Sequence, residues 1–485
     1  MRLTIAGGGG FRVPLVYRAL SAGPFAGLVR ELVLYDVDAG RLAAIEAVLA
    51  SLAQQGPPGS GPQVRTASSL ADALNGADMV FAAIRPGGTA GRTADERIAL
   101  DLSILGQETT GAGGISYALR SIPPMLKLAE EMRSRCPGAW LLNFTNPAGM
   151  VTEALVPVLG HRVIGICDSA GGLVHRAARA AGVTLPEGRL DGVGYYGLNH
   201  LGWLYRLESG GRDVLPELLA SPAALAEFEE GRLFAPGLLG GLGCLPNEYL
   251  FYYYDTERAV AGMRGAGLTR GESIARQQAE LYPRLAAAGP GAFALWEAAR
   301  RSREEGYLAE ARTGGEHRDE TDLAGGGYER VALAAMRALS GGGEAQLILN
   351  TVNTLPAETA VNAVAEPAPD RPAAGRAAGS AVPAAVPAVP GLPADAVVEV
   401  PCTVTPDGAV PVPQDPPGPE QLALMRRVKD VERLVVEATT TGRRESALAA
   451  FARHPLVDSE VLAGRLLSGY EAAFPELGRL WHRRP

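Results

Sequence analysis

Apolar runs in the first part of the chain repeatedly end in polar or glycine-rich turns. RLTIA (residues 2–6) runs into GGGG and then FRVPLVYRAL, which predicts a strand, a tight turn and a helix. ELVLYDVD (31–38) predicts a second strand with Asp36 near its end. MVFAAIRPGG (79–88), AWLLNFTNPAG (139–149) and HRVIGIC (161–167) repeat the pattern. Strands that alternate with helices in this way predict an α/β fold with an open, mostly parallel sheet. Ligands of such sheets bind outside the carboxyl ends of the strands, so Arg85, Asn143, Asn146 and Cys167 are expected at one rim.

Later patterns differ. Residues 192–214 are predicted β-rich, with a turn at SGGR, and 244–312 predominantly helical. VALAAMRAL (331–339) predicts a helix and AQLILNTVN (345–353) a strand. Residues 366–394 are rich in Ala and Pro and hold few large apolar side chains, so they are expected to form a disordered surface insertion. Regular sequence resumes at VVEVPC, and the chain from 419 reads as two or three helices. The expected organisation is a Rossmann-like dinucleotide-binding domain over 1–190 and an interlocked α+β domain over 191–485.

Composition then narrows the partners. The chain has 485 residues, with 45 basic and 53 acidic side chains and a net charge of −8, which provides no basic field for nucleic acid. No apolar run is long enough to span a bilayer, and the N-terminus reads as a strand rather than a secretory signal. The four cysteines form neither a CxxC pair nor a disulfide framework, which fits a cytoplasmic location.

The candidate chemistry begins at the glycine turn. Gly7, Gly8, Gly9 and Gly10 would let the backbone approach a pyrophosphate at a helix N-terminus, and Asp36 would bind the adenosine ribose, as in NAD-dependent folds. A flexible turn and a solvated strand end would look the same in isolation. Cys167 ends a buried strand, and by itself could be a packed core atom, a nucleophile, a redox partner or a metal ligand. His200, in GLNHLGW, could equally be a satisfied core histidine, and a cysteine and a histidine 33 positions apart form no recognisable zinc signature.

The surrounding motifs add a further constraint. TAGRTADERIALDLSILGQETTGAGG, NFTNPAGMVTEAL, VIGICD, GLNHLGW, PNEYLFYYY, VEVPC and HPLV occur in that order over nearly the whole chain outside the insertion. In this set the sequence resembles glycoside hydrolase family 4, and within it the 6-phospho-β-glucosidases. The resemblance implies hydrolysis of substrates such as cellobiose 6-phosphate or an aryl glucoside 6-phosphate, yielding glucose 6-phosphate. It implies NAD and Mn²⁺ or another divalent metal, with oxidation at C3, elimination, water addition and re-reduction. It also implies that Cys167 and His200 hold the metal, Tyr249 removes the C2 proton, and Arg92, Asn146 and Arg270 bind the substrate. Glu108 and Thr109 would line the nicotinamide side. A homodimer or homotetramer is implied in the same way. A phenol titrates near ~10, so Tyr249 would need a nearby metal, cation or strong hydrogen bond to act as a base. Tyr252, Tyr253 and Tyr254 are expected to be packing residues.

Two positions depart from the family pattern. Where many relatives carry a serine-rich turn, this chain has GGGGFRVP, and Arg12 could replace the lost hydroxyl contacts. Asp168 follows the cysteine, as in the 6-phospho-α-glucosidase branch, where it is regarded as the acid; sugar-hydroxyl binding is the other reading. A 6-phospho-α-glucosidase, an ordinary NAD-dependent sugar dehydrogenase and a non-catalytic dinucleotide sensor remain the alternatives.

Overall fold

The computed structural model describes residues 1–57, 59–306, 327–357 and 385–482. Its first six strands are β1 (Arg2–Ala6), β2 (Glu31–Tyr35), β3 (Gln63–Thr66), β4 (Met79–Ala82), β5 (Trp140–Asn143) and β6 (Val163–Gly165). They pair in parallel in the order β3-β2-β1-β4-β5-β6. That is the order of a doubly wound dinucleotide fold. The central strands are covered on both faces, and Leu3, Ile5, Val80, Leu141 and Leu142 are all buried. Two-sided burial is why these strands read as continuous apolar runs rather than alternating ones.

The sheet does not stop at the expected boundary near residue 190. The later strands are β7 (Val193–Leu198), β8 (Leu201–Ser209), β9 (Arg212–Asp213), β10 (Leu245–Pro246), β11 (Ala345–Val352), β12 (Val397–Thr405) and β13 (Gly408–Pro411). β11 lies antiparallel against β6, and the sheet continues through β12, β7, β8 and β10, with β13 on β12 and β9 on β8. Among the described residues this makes one sheet of 13 strands shared by both halves of the chain. At the β6–β11 junction Gly165 faces Asn350. A Cβ on Gly165 would lie 2.5 Å from Thr152 Oγ1 and 2.8 Å from Asn350 Cβ, so the junction requires a glycine.

Helices cover both faces. The helix Gly111–Arg135 is overlaid by Pro419–Thr441, Arg444–Arg453 and Pro475–Trp481, while Glu460–Ala473 packs on the helix Gly88–Asp101. Among the described residues the C-terminal region holds four helices rather than two or three, because Pro475 restarts the helix in a position where its missing N–H costs nothing. Tyr470 Oη donates to the Asp95 carbonyl at 3.0 Å, beside a buried Asp95–Arg120 ion pair. The expected helical stretch from 244 begins with β10 and a 3₁₀ turn, Glu248–Leu250, before Phe251–Tyr254, Thr256–Gly265, Arg270–Ala287 and Ala292–Glu305. Its last residues, 307–312, lie outside the described residues. No helix among the described residues is long and apolar enough to cross a membrane.

The expected disordered insertion needs correction at its C-terminal end. Residues 366–384 lie outside the described residues, but 385–394 are packed, with Val389 and Leu392 buried. Asn353, itself fully buried, organises them. Its amide nitrogen donates to the carbonyls of Val389, Leu392 and Pro393, and its Oδ1 accepts from Val389 N at 2.7 Å. The prolines that made this segment look unstructured also remove N–H groups that burial would otherwise leave unpaired. Asn353→Ala should therefore lower unfolding stability by about 3 kcal/mol, measured by urea denaturation. A loss below about 0.5 kcal/mol would mean that the segment does not depend on this side chain.

Candidate functional site

A cleft of about 1990 Å³ opens at the carboxyl ends of the parallel strands, where Gly7, Asp36, Arg85, Asn146, Cys167, His200 and Tyr249 all line it. The four glycines form the turn between β1 and the helix Val13–Ser21. Gly7 has φ +92°, and a Cβ there would sit 2.5 Å from the Ala83 carbonyl oxygen, so the turn needs glycine at this position. Asp36 stands at the end of β2 as expected. Its carboxylate accepts from Gly9 N at 2.9 Å and Asp38 N at 3.0 Å, so it braces the turn while facing the cleft.

Glu108 is buried between two arginines, with one carboxylate oxygen on Arg85 and the other on Arg92. Burial alone would raise its pKa; the two guanidiniums outweigh that and hold it at about 2. Arg92 also binds Glu96 at 2.8 Å, and Glu96 accepts from Gly271 N at 2.7 Å. Both Arg92 and Glu108 thus reach the expected cleft already paired.

Deeper in, Cys167 Sγ lies 3.5 Å from His200 Nε2. Two donors each about 2.0–2.3 Å from one cation at a tetrahedral angle would be separated by about that distance. His200 occupies the hairpin turn between β7 and β8 at φ +63°, a backbone conformation few side chains adopt. Burial lowers its pKa to about 3, leaving a neutral imidazole. Thr109 Oγ1 sits 3.0 Å from Nδ1, so a ring protonated there would donate to Thr109 and turn its Nε2 lone pair toward the sulfur. Burial, followed by Glu399 and Asp168, pushes the Cys167 thiol well above its ordinary range. The described residues contain no cluster of three or more His, Cys, Asp or Glu side chains suited to a metal. The pair can therefore supply two ligands, and any others would have to come from substrate or water. Tyr249 stacks flat on the His200 ring, with centroids 3.7 Å apart and planes 4° apart.

Sequence reasoning missed Glu399, the acid of VEVPC. It is buried on β12, where burial raises its pKa to about 7. Tyr195 Oη donates to it at 3.1 Å, Asn199 Nδ2 at 3.2 Å and Asn350 Nδ2 at 3.0 Å. Asn199 Oδ1 in turn accepts from Ala148 N at 3.1 Å, which links the His200 turn to the NFTNPAG turn and its cis Asn146–Pro147 bond. The available signal was a single acid inside an apolar strand, which must find partners when buried.

The structure does not bring every rim residue into the cleft. Asn143 is fully buried, and its side chain binds Thr145, Ala148 and Thr152 inside the turn. Its place at a strand end had suggested the rim, but its amide is consumed by local backbone. Arg12 lies 3.7 Å from Asp168 and 3.5 Å from Glu304, which connects the two positions that depart from the family pattern. Arg270 lines the cleft and donates to the Gly306 carbonyl and, at 3.3 Å, to the Arg303 carbonyl. Tyr252 is buried yet also lines the cleft, and Tyr254 accepts from Trp203 Nε1 at 3.0 Å.

A doubly wound sheet with a glycine turn and a polar rim constellation defines an α/β enzyme of the dinucleotide-binding type. The model of the family 4 glycosyl hydrolases matches residues 3–183, and that of their C-terminal domain matches 195–364 and 385–457. The chain belongs to glycosyl hydrolase family 4. A probable 6-phospho-beta-glucosidase of Bacillus subtilis is 28% identical over 409 residues, covering 81% of this chain and 78% of that protein. 6-phospho-alpha-glucosidase 1 of Lacticaseibacillus paracasei is 37% identical over 217 residues, 44% of this chain and 48% of that protein. The solved 6-phospho-beta glucosidase of Thermotoga maritima with NAD and glucose-6-phosphate superposes with a TM-score of 0.74, at 25% identity, covering 98% of this chain and 99% of that one.

Glu108 gives this site a measurable acid response. Because its folded pKa is depressed to about 2, its contribution to stability is complete above the ordinary glutamate range and is lost as pH falls through about 2. Urea midpoints taken at pH 6, 4 and 3 should fall more steeply for the wild type than for Glu108→Gln. The variant should be less stable at pH 6, since it leaves Arg85 and Arg92 without their shared carboxylate.

Proposed function

We propose that this chain hydrolyses 6-phospho-β-glucosides such as cellobiose 6-phosphate, releasing glucose 6-phosphate, with NAD and a divalent cation such as Mn²⁺. The observation that carries this reading is the Cys167–His200–Tyr249 stack at the rim of a dinucleotide fold. When bound, NAD would supply oxidation and re-reduction at sugar C3, and the cation would supply a Lewis acid near the C2 and C3 oxygens.

The chain's own residues do the rest. The turn Gly7–Gly10 and the N-terminus of helix Val13–Ser21 receive the pyrophosphate, and Asp36 faces the ribose. Cys167 and His200 hold the cation, with Thr109 fixing the imidazole. Tyr249, held against that imidazole, takes the C2 proton as the bond from C1 to the glycosidic oxygen breaks. Asp168, beside Arg12, accepts hydrogen bonds from sugar hydroxyls, as an ion-paired carboxylate can. Asn146 and the arginine side of the cleft orient the phosphorylated sugar.

The β assignment is supported by the Bacillus subtilis relative, which matches over most of the chain, and by the Thermotoga maritima structure. Asp168 and the Lacticaseibacillus paracasei relative favour the α anomer as a second reading. The test is release of p-nitrophenol from p-nitrophenyl-β-glucoside 6-phosphate. Release should require both NAD and Mn²⁺ and should accumulate no NADH. Cleavage of the α anomer alone would move the assignment to α, and net NADH formation on a free sugar would indicate a dehydrogenase. Tyr249→Phe should lower kcat by at least about 100-fold without changing NAD affinity; unchanged turnover would remove Tyr249 as the base.

A further inference from the structure

Among the described residues, Arg303 is an arginine of the cleft that no acid pairs. Arg92 is shared between Glu96 and Glu108, Arg85 is on Glu108, and Arg12 pairs with Glu304 and Asp168. Arg303, near the end of the helix Ala292–Glu305, forms no ion pair or hydrogen bond through its guanidinium among the described residues. Its guanidinium lies over the Phe11 ring, 5.0 Å from the centroid. Phe11 in turn leans on Trp296, with centroids 5.8 Å apart, so the cation rests on a rigid aromatic floor beside the glycine turn. The Arg270 contact with the Arg303 carbonyl at 3.3 Å fixes the backbone from which the side chain projects.

Like charges surround it. Burial, then the neighbouring Arg12, Arg270 and Arg92, lower the Arg303 pKa to about 9, against the opposing Glu304. Holding a guanidinium in such a place costs free energy that an arriving anion would recover. A phosphate monoester carries close to two charges at neutral pH and accepts the planar, two-toothed contact that a guanidinium offers. The glycine turn has its own backbone groups and helix N-terminus for a pyrophosphate. Arg303 shares the cleft with Arg92 and Arg270, the arginines expected on the substrate, and its carbonyl accepts from Arg270.

We infer that Arg303 is a further recognition group for the 6-phosphate of the sugar, a specificity residue acting beside Arg92 and Arg270. The inference rests on the proposed function, since it takes a phosphorylated sugar as the ligand. It means that Arg303 adds to the discrimination between phosphorylated and free glucosides a cation that no acid among the described residues pairs.

The experiment compares Arg303→Gln and Arg303→Lys with the wild type in the full chain. Arg301→Gln is the control; Arg301 is an exposed neighbour on the same helix. With p-nitrophenyl-β-glucoside 6-phosphate, Arg303→Gln should raise KM about 10- to 100-fold while changing kcat by less than about 3-fold. Arg303→Lys should recover part of the loss, and Arg301→Gln should behave as wild type. The KM for NAD should be unchanged in all three. An unchanged substrate KM in Arg303→Gln, or a rise in the NAD KM instead, would overturn the inference, the latter placing the cation on the pyrophosphate. Calorimetric titration with glucose 6-phosphate and with glucose separates this question from the proposed function. If the wild type binds the phosphate ester more tightly than glucose and Arg303→Gln does not, Arg303 is assigned even if no glycoside is cleaved. Equal loss of binding for both sugars would overturn the assignment.

Discussion

The Glu399 carboxylate is the constraint on which the site's geometry depends. One buried acid on β12 is reached by side chains from β7, from the turn after β7 and from β11, and Asn199 carries the connection on to the backbone of Ala148. Cys167 follows a parallel strand of the first half, whereas His200 sits on a hairpin of the second. Their 3.5 Å separation therefore depends on how the halves are registered against each other. The close β6–β11 approach at Gly165 sets the spacing, and the Glu399 network sets the orientation. A carboxyl with a pKa near 7 in such a position can satisfy its donors whether or not it carries a proton, which suits a joint that has to hold without a strong charge.

The same cleft shows two ways of keeping arginine where anions will bind. Arg85 and Arg92 are held by acids, which makes them rigid and electrically quiet before anything arrives. Arg303 is held by aromatic contact and backbone position, and keeps its charge available. Paired arginines give shape to a pocket, while an unpaired one gives it selectivity for charge. A site that must accommodate both a dinucleotide and a charged sugar has use for both kinds.

Much of this was legible in the sequence. The strand-and-turn pattern of the first half was enough to predict the parallel sheet, because strands buried on both faces leave long apolar runs. Cys167, His200 and Tyr249 could be placed only through the ordered motifs, since neither spacing nor composition distinguishes a ligand from a packed side chain. Asn143 was misplaced because a strand end suggests a rim, while the demand of a tight turn for an internal hydrogen-bond partner is invisible in one dimension. Glu399 and Arg303 were missed for a related reason. Each is defined by what surrounds it in space, from residues distant in sequence. The ordering of 385–394 was hidden by composition, because its stability comes from one asparagine remote from the proline-rich stretch.

That asparagine-centred knot also bears on chain entropy. Leu355 N donates to the Val386 carbonyl at 2.9 Å, so the chain is clasped on both sides of the stretch between them. The entropy of closing a segment between two fixed ends grows only as the logarithm of its length. A clasp made by the folded body on both sides therefore keeps the thermodynamic cost of added residues small.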